Sequence, residues 1–130
     1  MIEFVWDADK TGTATGASGA ALTVGDQPSD YRPDDLVAMA AAGSVMRAFL
    51  AAAERAAVPI LAYMATAEVR STQESPDPRV HVRSYVVGSD TMTEQTFATL
   101  AAEALRTSGI ARLFGDRCVA AWELRALRGV

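Results

Sequence analysis

The stretch Pro33-Asp34-Asp35-Leu36-Val37-Ala38-Met39-Ala40-Ala41-Ala42-Gly43-Ser44-Val45-Met46-Arg47-Ala48-Phe49-Leu50-Ala51-Ala52-Ala53-Glu54-Arg55-Ala56-Ala57 decides how the chain is read. Proline fits the first helical position, and the carboxylates after it suit the positive end of a helix dipole. Leu36, Met39, Ala40, Gly43, Met46, Leu50, Ala53 and Ala57 then recur at helical spacing, which predicts a helix from about Pro33 to Ala57. Between Leu36 and Ala53 only Ser44 and Arg47 are polar, so this helix is apolar almost all round and has to be covered on several faces. Its length raises the question of a membrane span. Arg47 near the middle would cost about 2.5–3.5 kcal/mol there, and alanine supplies little hydrophobic drive, so a buried helix at the centre of a soluble fold is expected instead, with no membrane partner.

Downstream, Pro59 ends the helix and Ile60 to Thr72 alternates, with Leu61, Tyr63, Ala65, Ala67 and Val69 on one side. Glu74-Ser75-Pro76-Asp77-Pro78 reads as a turn. After it Val80, Val82 and Val86 share one face and Arg79, His81, Arg83 and Tyr85 the other, so a β-hairpin is expected. Thr91-Met92-Thr93-Glu94 has the form of a capping box, with Phe97, Leu100, Ala101, Ala104 and Leu105 making a second amphipathic helix that stops near Ser108-Gly109. Gly115-Asp116 turns into a last strand, Arg117 to Leu127. Upstream, Ile2 to Asp7 reads as a strand, Thr11 to Val24 as weak strands or a hairpin, and Gly25 to Pro33 as a loop. The fold class is therefore α+β, in a single domain over residues 1–130.

Composition narrows the function. A net charge of -4 argues against a nucleic-acid partner, whose affinity comes from Lys and Arg displacing counterions. One Cys and one His offer neither an internal disulfide nor a thiolate metal site, so no metal or cofactor is implied. The acidic, alternating start Met1-Ile2-Glu3-Phe4-Val5-Trp6-Asp7 is unlike a signal peptide, which points to a cytoplasmic protein.

Two segments in this order and spacing carry a resemblance that spans nearly the whole chain. They are Pro33-Asp34-Asp35-Leu36 leading into Ala40-Ala41-Ala42-Gly43-Ser44, and Ala102-Glu103-Ala104-Leu105-Arg106-Thr107-Ser108-Gly109-Ile110 leading into Arg112-Leu113. The sequence resembles the OsmC/Ohr family, the osmotically inducible and organic hydroperoxide resistance proteins of oxidative-stress defence. The resemblance implies an OsmC-like fold, antiparallel sheets around a long buried central helix, in an intertwined homodimer. In the peroxiredoxin-like members of that family, a central-helix cysteine attacks the hydroperoxide and a cysteine at the end of the second helix forms a disulfide with it. An arginine and a glutamate hold the thiolate.

Counted from Pro33 without a gap, the first cysteine position falls at Ser44 and the second at Ser108; a slip of one residue would put Val45 at the first. The arginine matches Lys10 in Lys10-Thr11-Gly12, and the glutamate matches Asp34. A serine hydroxyl stays protonated near neutral pH and is a weak nucleophile toward peroxide. Lys10 lacks the planar two-donor contact of arginine, and Asp34 has one methylene less reach than glutamate. The resemblance thus implies a degenerate active site without thiol peroxidase activity, whose residual pocket, bordered by Ser44, Arg47 and Ser108, takes a small hydrophobic or weakly anionic ligand.

Other readings stay open. Ser44 as a hydrolytic nucleophile finds no Ser-His-Asp pattern, with His81 on an exposed strand face, against a small polar residue bonded to the preceding helical turn. Arg47 is either a structural ion pair with Asp34, Asp35 or Glu54, or an anion holder in the pocket. Cys118 shares a strand face with Ala120, Trp122 and Leu124 and reads as a small buried hydrophobe; the alternative is a relocated peroxidatic thiol. A structural or regulatory dimer without a ligand is the remaining reading.

Overall fold

The computed structural model describes residues 1–71, 73–74 and 76–126, so Thr72, Ser75 and Leu127, parts of the expected strand and turn ends, lie outside the described residues. The chain falls into two compact units, Met1–Val37 and Ala38–Val130.

In the first unit, β1 (Ile2–Ala8), β2 (Thr11–Gly16) and β3 (Ala21–Val24) form an antiparallel sheet in the order β1-β2-β3. The weak alternation from Thr11 to Val24 is thus two strands. Phe4 pairs with Ala14 and Trp6 with Gly12. A Cβ on Gly12 would stand 2.3 Å from the Phe4 ring, so glycine lets that ring lie over the neighbouring strand. The β1–β2 turn passes through Asp9 at φ 50°, and the Trp6 indole N–H donates to the Asp9 carbonyl at 2.8 Å. The loop from Gly25 returns at Tyr31, whose N–H donates to the Thr23 carbonyl at 3.0 Å. At the start of α1 (Pro33–Arg55), the Asp35 carboxylate accepts from the Arg32 N–H at 3.0 Å. That is the reach-back bond of a third-position acid to the cap residue, and it fixes the helix start where the proline predicted it.

In the second unit, α1 ends in a Schellman turn. The Val58 N–H donates to Ala53 O at 2.9 Å and the Ala57 N–H to Glu54 O at 3.1 Å, with Ala57 left-handed at φ 56°. The helical periodicity therefore overran by two residues. β4 (Ile60–Arg70) and β5 (Arg79–Gly88) form the expected hairpin, and β6 (Cys118–Ala126) pairs parallel to β5, giving the order β4-β5-β6. This sheet is therefore mixed and not antiparallel throughout as the resemblance implied, because a parallel neighbour needs a crossover, which α2 (Glu94–Thr107) and the short α3 (Gly109–Phe114) supply. The element order is α+β, as expected.

Three details depart from expectation. Thr93, not Thr91, caps α2, its hydroxyl accepting from the Thr96 N–H at 3.1 Å, because Ser89 to Met92 is already closed as a turn by the Met92 N–H on Ser89 O. An irregularity between Ile60 and Ala62 turns Leu61 outward, leaving it 52% exposed, while Ile60 packs inward. α3 itself was not foreseen.

The core of this unit gathers Phe49, Ala52 and Ala53 of α1, Val86 of β5, and Phe97, Leu100 and Ala104 of α2. Trp122 packs against it, its ring 5.2 Å from that of Phe49, and Tyr63 packs against it as well. A smaller cluster of Ala41, Val80 and Val82 is packed by Ile110, Phe114 and Cys118. The buried stripe of α1 is thus Ala38, Ala41, Val45, Phe49, Ala52 and Ala53. Much of the stripe expected from the periodicity faces outward, with Met39 49% and Leu50 37% exposed. On a helix that is apolar all round, spacing cannot choose between two equally apolar stripes.

Candidate functional site

Ser44 stands in the middle of α1, one position before the buried Val45. Ser108 stands between α2 and α3 and serves both: its N–H closes α2 on Ala104 O at 2.8 Å, and its hydroxyl accepts from the Ala111 N–H at 3.2 Å as the cap of α3. That double duty explains why the chain can stop one helix and start another without a loop. It also holds the Ser108 side chain at one point, 1% exposed.

The two hydroxyls meet. Ser44 Oγ and Ser108 Oγ are 2.8 Å apart, and Ser44 Oγ also accepts from the Ile110 N–H at 3.3 Å. The side chain of Ser44 is therefore bonded across to the α2–α3 junction and not to the preceding turn of its own helix, which corrects the simpler reading of that residue. Ser108 is likewise more than a helix end.

The pair sits on a cleft of about 650 Å³ whose lining includes Met39, Ser44, Arg47, Arg55, Ser108 and Ile110. Ser44, Arg47 and Ser108, the three pocket residues named from the sequence, all line it. Arg47 is exposed and, among the described residues, forms no ion pair, so the structural pairing expected for it is absent there. The ion pair on this cleft belongs to Arg55, which sequence reasoning passed over: its guanidinium donates to Glu103 of α2 at 2.7 Å. The signal was present in the spacing, since Ala40, Ser44, Arg47, Ala48, Ala51 and Arg55 form a stripe at intervals of four, three, one, three and four along α1. Ile110 and Ala111 could not be anticipated, because they act through backbone N–H groups of a helix that the sequence did not announce.

Lys10 and Asp34 belong to the first unit. Lys10 is exposed in the β1–β2 turn, and Asp34 is exposed in the first turn of α1 beside the Asp35 that makes the cap. His81 lies on the face of β5 opposite the buried valines, as read from the sequence. Among the described residues no group of three or more His, Cys, Asp or Glu side chains is placed to hold a metal ion.

Cys118 opens β6 against the Ala41, Val80 and Val82 cluster and is half-buried. Burial pushes its thiol up from its ordinary value. An activated thiolate requires the reverse, exposure and a nearby cation. Arg117, next to it in sequence, faces Asp77 at 3.7 Å.

No protein-family model and no curated protein sequence matches the chain. Solved structures do. An OsmC-like protein from Mycoplasma pneumoniae superposes with a TM-score of 0.81 at 9% identity, covering 98% of this chain and 96% of its own. An OsmC-like protein of unknown function from Vibrio cholerae gives a TM-score of 0.77 at 16% identity over 96% of this chain and 97% of its own. The organic hydroperoxide resistance protein OhrB of Bacillus subtilis gives 0.69 at 13% identity over 96% and 98%. At these identities the likeness establishes the fold, and it does so over nearly the whole of each chain.

Proposed function

We propose that this chain, which has the OsmC-like fold, is a divergent member of the OsmC/Ohr family of peroxide and oxidative-stress defence in which a pair of hydroxyls occupies the place of the reactive thiols. The observation that carries the reading is the 2.8 Å contact between Ser44 and Ser108, the two positions to which the resemblance assigns the cysteines. A peroxidatic and a resolving sulfur must come within bonding distance of each other, and residues 64 positions apart in sequence are held at that range here. Serine at both excludes the chemistry those positions would serve: a hydroxyl neither attacks peroxide at useful rates near neutral pH nor forms a disulfide.

What remains is a binding cleft. Ser44, Arg47 and Ser108 supply polar contacts beside Met39 and Ile110, which suits a small hydrophobic or weakly anionic ligand. The chain works as a cytoplasmic homodimer forming a single domain per protomer. Two exposed apolar faces support the dimer: Ile2, Phe4 and Trp6 of the edge strand β1 at 66%, 58% and 73% exposure, and Met39 and Leu50 of α1. A lone protomer rarely leaves an apolar edge strand and an apolar helix face open together.

Sedimentation of the purified protein should give twice the chain mass, and native mass spectrometry or thermal shifts with a panel of fatty and carboxylic compounds should reveal an occupied cleft. A monomer would contradict the dimer, and a protein that responds to none of the panel would contradict the binding reading and favour a purely structural role.

A further inference from the structure

The hydrogen atoms of the Ser44–Ser108 pair can be assigned by counting. Ser108 Oγ accepts from the Ala111 N–H, and among the described residues its own proton has one acceptor in reach, Ser44 Oγ. At 1% exposure it has no access to solvent, and a buried hydroxyl proton left without an acceptor costs about 1–3 kcal/mol, so Ser108 donates to Ser44. Ser44 Oγ then receives two donors, from Ser108 and from the Ile110 N–H, which fills both of its lone pairs. The Ser44 proton is left over. Ser44 is half-buried and lines the cleft, so that proton is available to a bound molecule.

The pair therefore presents the cleft with a donor and no acceptor. Arg47, a donor-only group with no ion pair among the described residues, lines the same cleft, whereas Arg55 is engaged by Glu103. Thr107 at the rim spends its proton on Glu103 O at 2.9 Å, so it adds no further donor and leaves only a neutral hydroxyl oxygen there as an acceptor. We infer that the cleft selects the carboxylate head of an apolar acid, held between the Ser44 hydroxyl and the Arg47 guanidinium, over alcohols and amines of the same chain length. The inference rests on the ligand-binding reading above and narrows it to one head-group chemistry. An alcohol must find an acceptor for its own proton, and an ammonium needs acceptors alone; the serine pair offers neither. A carboxylate accepts from both donors, and bonds to charged groups are the stronger class.

Calorimetric titration of the full-length protein with octanoate, octanol and octylamine at one salt concentration tests this. Octanoate should bind at least about tenfold more tightly than either of the others. Arg47→Gln, an exposed change that leaves the core alone, and Ser44→Ala should each weaken octanoate about tenfold and so remove most of its preference over octanol. Octanol or octylamine binding as well as octanoate overturns the inference while leaving a ligand cleft in place, and so does an undiminished octanoate preference in both variants. Failure of all three compounds to bind overturns the inference and the binding reading together.

Discussion

Ser44 Oγ lies 2.8 Å from Ser108 Oγ, a contact between the middle of the central helix and the junction of two others, across 64 residues of chain. The separation is short enough that two side chains at these positions could be covalently joined. Bringing two sulfurs from that separation to a disulfide requires an inward movement of less than about 1 Å.

Replacing both residues, Ser44→Cys with Ser108→Cys, should therefore give a disulfide on mild oxidation, leaving only Cys118 as a free thiol. By loop-closure entropy a link over this span is worth up to about 4 kcal/mol, so unfolding should move to higher temperature in the absence of reductant and return when reductant is added. A denatured thiol count showing all sulfurs free after oxidation would place the two positions too far apart.

Cys118 provides a separate check, through pH. Its thiol is pushed up by burial, so at neutral pH less of it is thiolate than in an exposed cysteine. Since the thiolate is the reactive form, alkylation by iodoacetamide should be slow at pH 7, and its rate should climb with a midpoint above that of a free cysteine. The same shift is a linkage statement: the folded state holds this proton more tightly, so the contribution to stability is intact below the unfolded thiol's pKa and is lost as pH rises through the folded value. A midpoint below the usual thiol range would reveal an activated sulfur and revive a relocated thiol peroxidase.

Ala57 tests the account of how α1 stops. It occupies the left-handed position of a Schellman turn, at φ 56°, where a Cβ is unfavourable and glycine is at ease. Ala57→Gly should stabilise the protein by about 0.5–1 kcal/mol in denaturant titrations, with the midpoint rising and the slope unchanged. Destabilisation by that change would mean the turn is formed differently.

These particulars show which features a sequence of this kind discloses. The start of α1 was legible because Pro33 and the acids after it act on their own backbone, within one turn. Hairpin β4–β5 was legible because valines alternate with arginines across a half-buried sheet. The buried side of α1 was not, since alanine, methionine and leucine fill its whole circumference and only the partners in space decide which stripe is covered. Ser44 and Ser108 could be aligned to a family pattern, yet their contact and the N–H groups of Ile110 and Ala111 depend on α3, a six-residue helix too short to show a period. Arg47 could be named but not paired, because an ion pair is a long-range event; the Glu103 carboxylate of α2 went to Arg55.

The central claim is that a peroxidase scaffold here has hydroxyls where its thiols would be. The measurement that tests it most directly is consumption of an organic hydroperoxide with a dithiol reductant, in the natural protein, in Cys118→Ser, and in Ser44→Cys combined with Ser108→Cys. No turnover above background by the natural protein or by Cys118→Ser, with turnover appearing in the double-cysteine protein, is the predicted result. Turnover by the natural protein that vanishes in Cys118→Ser would contradict the claim and make the half-buried Cys118 the working nucleophile.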